Sequence, residues 1–89
     1  MNYAKKIIYQ SNYWYNDGLK KAKVRDMSGA IISLKRSLQY NRENIAARNL
    51  LGLVYYGIGE VSEAMVEWIS RKNFRPRANN ANEYIKQVQ

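Results

Sequence analysis

Glu60, Glu63 and Glu67 are spaced three and four residues apart, which on a helix places three carboxylates along one face. Carboxylates grouped this way do acid–base chemistry when burial raises the pKa of one of them so that it keeps its proton near neutral pH. Nothing else in the chain completes such a site. With no His and no Cys, it lacks the commonest general base, the commonest metal ligand and the thiol nucleophile, and it can form neither a disulfide nor a zinc ribbon. Gly52, Gly57 and Gly59 are not arranged as a phosphate-binding loop, because no GxxxxGK[ST] run surrounds them and no strand precedes them. The three glutamates therefore read as a solvated helix face. Glu60 favours the positive start of that helix, and Glu67 is placed to reach Arg71 four residues on. No catalytic residue, metal site or cofactor is expected.

The basic residues form a second chemical group. Fifteen Lys and Arg oppose seven Asp and Glu, for a net charge of +8 and a pI near 9.9. Residues 1–42 carry nine basic and two acidic groups, residues 43–70 one and four, and residues 71–89 five and one. The net charges are thus +7, −3 and +4. The run KKAKVR, including Lys20, Lys21, Lys23 and Arg25, is a candidate polyanion site, as are Lys35-Arg36 and the four cations around Phe74. Basic groups interleaved with aromatics bind phosphates and stack bases. The same groups near a helix C-terminus also complement its dipole. An ordinary basic surface is the preferred reading, and a phosphate-backbone partner, nucleic acid or an anionic membrane, is the alternative.

These groups must be positioned by helices. No stretch alternates apolar and polar residues as a strand does. Apolar residues recur at steps of three and four through Tyr3, Ile7, Ile8 and Trp14. The same steps run through Ala30, Ile31, Leu34 and Leu38, then Leu50, Leu51, Val54 and Tyr55, then Val61, Ala64, Met65 and Trp68. Asp26 suits the N-cap of a helix starting at Met27. Residues 41–44 read as a turn, Gly57-Ile58-Gly59 as a helix end, and Pro76 as a stop. Asn80 and Glu83 suit the capping box of a further helix over 79–89. The fold class is all-α, with about five helices in antiparallel hairpins. The longest apolar stretch, Leu50–Gly59, is too short to span a bilayer, which needs about 20 residues. The residues after Met1 do not form a secretory leader. The absence of Cys fits a cytoplasmic location. The final NEYIKQVQ reads as a helix broken off in mid-pattern, which predicts a longer parent chain.

A shift of 34 residues aligns two halves of the chain: Gly18 with Gly52, Leu19 with Leu53, Ser28 with Ser62, Ala30 with Ala64 and, less strictly, Leu34 with Trp68. An isolated glycine inside a helix costs about 1 kcal/mol against alanine, so glycines at matching positions point to close helix packing. The two copies resemble the tetratricopeptide repeat, with its W-x2-L-G-x2-Y, A-x3-F and P pattern. The first copy, about residues 11–44, carries Trp14, Gly18, Ala30 and Leu34. The second, about residues 45–78, carries Leu51, Gly52, Tyr55, Ala64, Trp68 and Pro76. Residues 79–89 would be a cap or partial repeat. The sequence departs from the pattern at Asp17, Lys21 and Arg42 in the first copy and at Arg48 and Arg71 in the second.

The resemblance implies a superhelical array, an α-solenoid, whose leading helices line a concave protein-binding face. On this chain that face would hold Asn12, Tyr15, Leu19 and Lys23, then Asn49, Leu53 and Tyr56. Independently, residues 12, 15, 19 and 23 share one helix side. The Lys and Asn of the family's carboxylate clamp are replaced by Tyr15 and Leu19, which argues against chaperone-tail binding. The expected function is a non-enzymatic protein-interaction module for an acidic or amphipathic segment. Two repeats also leave ends that invite weak homodimerisation.

Overall fold

A computed structural model of the protein describes residues 2–74. They form four helices, α1 (Tyr3–Lys23), α2 (Met27–Tyr40), α3 (Ile45–Gly57) and α4 (Val61–Phe74), with no strand among the described residues. The protein is all-α. The helix expected over 79–89 lies outside the described residues.

Each of the first three helices starts where a side chain can satisfy an orphan N–H. Asn2 accepts from the Lys5 amide at 2.9 Å, Asp26 from Gly29 at 2.9 Å, and Asn44 from Ala47 at 3.1 Å. No breaker lies between Tyr3 and Trp14, so α1 runs on for 21 residues. α1 packs on α2, α3 on α4, and α2 on α3, while α1 also touches α3.

The two hairpins turn in the same way at positions 34 residues apart. α1 and α3 end on Lys23 and Gly57, and α2 and α4 begin at Met27 and Val61. In the first turn the amides of Val24, Arg25 and Asp26 donate to the carbonyls of Lys20, Ala22 and Lys21. In the second, those of Ile58, Gly59 and Glu60 donate to Val54, Tyr56 and Tyr55. Each turn closes through one left-handed residue, Gly59 at φ 87° and Arg25 at φ 65°. Glycine adopts that conformation freely, whereas at Arg25 the turn imposes it on a residue with a Cβ.

Close packing inside each hairpin also recurs at that interval. A Cβ on Gly18 would lie 2.8 Å from Leu34 Cγ, and one on Gly52 would lie 2.6 Å from Trp68 Nε1. Ala30 and Ala64 are fully buried. The core lies mainly between the hairpins. There Ala30, Leu34 and Leu38 of α2 meet Ala47, Leu51 and Val54 of α3, flanked by Tyr15, Ala22, Met27, Ile31, Leu50 and Tyr55.

Candidate functional site

The residues expected on the concave face do not all share one surface. Asn12 and Lys23 are exposed on α1 with half-buried Leu19 between them. Leu53, the repeat partner of Leu19, is 60% exposed on α3. Asn12 is further held by the Asn44 side-chain amide, which donates to its Oδ1 at 3.2 Å. Tyr15 instead turns inward and packs on the core. Asn49 and Tyr56 sit 34 residues after Tyr15 and Ala22, two residues that α1 directs into the core. Tyr56 is exposed and its ring lies 6.2 Å from that of Trp68 on α4, while Asn49 is half-buried on α3.

The candidate polyanion residues also divide. Lys20, Lys23 and Arg25 are exposed. Lys21 is engaged, its Nζ 2.8 Å from Asp17 Oδ2 and 3.1 Å from the Ser33 hydroxyl, which in turn donates to Asp17 at 2.6 Å. The Asp17 carboxyl is held below its ordinary value of 3.8, first by the hydrogen bond from Lys21 and next by that from Ser33, against a smaller opposing effect of desolvation. A depressed native pKa means that the unfolded chain binds more protons, so the cluster contributes its full stability above pH 3.8 and loses it as pH falls through the lower native value. Asp17→Asn should therefore cost stability at pH 7, and its gap to wild type should narrow toward pH 3 and below. Urea melts at the two pH values measure this. A gap that does not change with pH would show that the carboxylate contributes nothing through its charge.

Among the carboxylates, Glu60 and Glu63 are exposed. Glu67, whose expected partner Arg71 has a side chain outside those described, reaches across to α3. Its Oε2 lies 3.0 Å from Arg48 Nη1 on α3, and Arg48 Nε donates to the Arg42 carbonyl at 3.2 Å. No described group of His, Cys, Asp or Glu residues has the arrangement of a metal site, and no described helix is long and apolar enough to cross a membrane.

Two features escaped sequence reasoning. The first is a hollow of about 370 Å³ lined by Trp14, Arg36, Gln39 and Tyr40. Within it the Arg36 guanidinium lies 4.8 Å from the Trp14 ring centroid, and Tyr13 meets the same ring edge-on at 5.3 Å. The second is a contrast between the two ends, for which the repeat carried the signal. Tracing Ala47, Leu50, Leu51, Val54 and Tyr55 of α3 back 34 residues reaches Tyr13, Asn16, Asp17, Lys20 and Lys21. The first hairpin thus carries mostly polar residues where the second carries the apolar ones that meet α2. Tracing Ala22, Met27, Ile31 and Leu34 forward reaches Tyr56, Val61, Met65 and Trp68. The second hairpin's outer end keeps the apolar character of a surface that is covered in the first. No protein-family model and no curated protein sequence matches this chain.

Proposed function

We propose that the chain is a non-enzymatic protein-interaction module of tetratricopeptide type that binds an acidic or amphipathic segment along the α1/α3 side. The observation supporting this reading is the 60% exposure of Leu53 at the repeat position of half-buried Leu19, with polar Asn12 and cationic Lys23 exposed on α1. An apolar centre rimmed by amide and ammonium groups suits an amphipathic helix with carboxylates on its flank.

A labelled amphipathic peptide bearing Leu on one face and Glu on the other should bind, as read by fluorescence anisotropy. Leu53→Ser combined with Lys23→Glu should weaken binding tenfold or more, since losing a buried leucine alone is worth about 1.5–3 kcal/mol. Equal affinity for the double variant would remove this site.

The Arg36–Trp14 stack and the +7 charge of residues 1–42 favour a second reading, a phosphate-backbone partner. Short oligothymidylate distinguishes the two. Backbone binding would fall steeply with salt, with a log–log slope of about −0.7 per neutralised phosphate, and would depend on Lys20, Lys23 and Arg25 rather than on Leu53.

A further inference from the structure

The second hairpin carries exposed Tyr56 and Val61 and half-buried Met65 and Trp68, the Tyr56 ring 6.2 Å from that of Trp68, at the repeat positions of Ala22, Met27, Ile31 and Leu34, which in the first hairpin pack in the core with α3. α3 fills that surface with Ala47, Leu50 and Leu51, a small residue followed three and four positions later by two large apolar ones. The same spacing occurs at Ala4, Ile7 and Ile8. These residues continue the side of α1 that carries buried Ser11 and Gly18, but toward the helix start. There Ala4 is exposed, Ile7 is half-buried and Ile8 is 49% exposed.

We propose that the start of α1 in one copy docks on the outer end of the second hairpin in another copy, as α3 docks on the first hairpin. Charge favours this occupant. Lys5 and Lys6 flank the apolar stripe of α1, while Glu60 and Glu63, both exposed, flank Val61 at the start of α4. The polar outer end of the first hairpin, with Asp17, Lys20 and Lys21 in place of the apolar residues of α3, disfavours end-to-end stacking of whole hairpins. Reciprocal exchange of the two α1 starts closes a two-fold dimer.

Sedimentation of the full chain from micromolar to millimolar concentration tests this without any peptide ligand, so its outcome is separate from that of the α1/α3 binding site. A dimer is expected. Ile8→Ser, at a half-exposed position, should weaken it about tenfold or more, with the melting curve checked by circular dichroism. Lys5→Glu with Lys6→Glu should weaken it, as should Glu60→Lys with Glu63→Lys, and all four changes together should restore it. A monomer throughout, a dimer indifferent to Ile8→Ser, or a fourfold variant that stays dissociated would each overturn the proposal. A dimer indifferent to these changes but lost on Tyr84→Ser with Ile85→Ser, the two large apolar residues of NEYIKQVQ, would overturn it in favour of that segment.

Discussion

Glu67→Ala is expected to destabilise the protein by about 3–5 kcal/mol, the usual cost of removing one partner of a buried ion pair. The Arg48 and Glu67 side chains are only 10% and 15% exposed, so the guanidinium loses its carboxylate partner in a largely desolvated setting. The bond from Arg48 to the Arg42 carbonyl remains, which favours the lower part of that range. Set against the 5–15 kcal/mol that folds a typical domain, the loss is a large share of the total. The pair itself is a different matter. Its attraction is offset by the desolvation of both charges, so replacing both residues with apolar ones of similar volume is often neutral or stabilising. Arg48→Met with Glu67→Leu should therefore melt in urea close to wild type, while Glu67→Ala melts far earlier. If the single variant matches wild type, the pair is solvated in solution and does not join α3 to α4.

Asn44→Ala is expected to cost about 2–4 kcal/mol, because one side chain does two jobs there. Its Oδ1 caps α3 through the Ala47 amide at 3.1 Å, a role worth about 0.5–2 kcal/mol. Its amide nitrogen lies 2.9 Å from Ser11 Oγ and 3.3 Å from Ser37 Oγ. The two serines are fully buried, and each hydroxyl donates to the other's backbone carbonyl, at 2.8 and 2.7 Å. Asn44 thus supplies the donor that their oxygens still need, and a buried acceptor left unpaired costs about 1–3 kcal/mol. Asn44→Asp separates the two roles, since the carboxylate still caps α3 but offers no N–H to the serines. It should fall between wild type and Asn44→Ala in a urea melt. An Asp variant as stable as wild type would show that the contact with the serines contributes nothing. This seam joins α1, α2 and the start of α3 in one place and so fixes how the second hairpin sits on the first.

Much of the local architecture was legible in the residues. Asp26 announced the start of α2, Gly59 the end of the second leading helix, and the matched pairs Gly18/Gly52 and Ala30/Ala64 the close packing inside each hairpin. The site was less legible. Tyr15 and Tyr56 are both tyrosines on leading helices, yet one packs on the core and the other lies at an outer end. Their repeat positions differ, 15 corresponding to 49 and 56 to 22, and an aromatic residue suits either setting.

The amino-acid sequence by itself determined the helices, the Asp26 cap and the turns, because those depend on groups no more than about four or five positions apart along the chain, and it showed the 34-residue repeat directly in its residue identities. Tertiary structure alone decided the partners. Glu67 pairs with Arg48, far from it along the chain, because α3 and α4 pack together and bring the two side chains into contact. Likewise Ser11, Ser37 and Asn44 are unremarkable polar residues in sequence. They become a buried network only because three helix segments meet there, leaving no water to satisfy them, and a side chain shut away from water must find its hydrogen bonds within the protein.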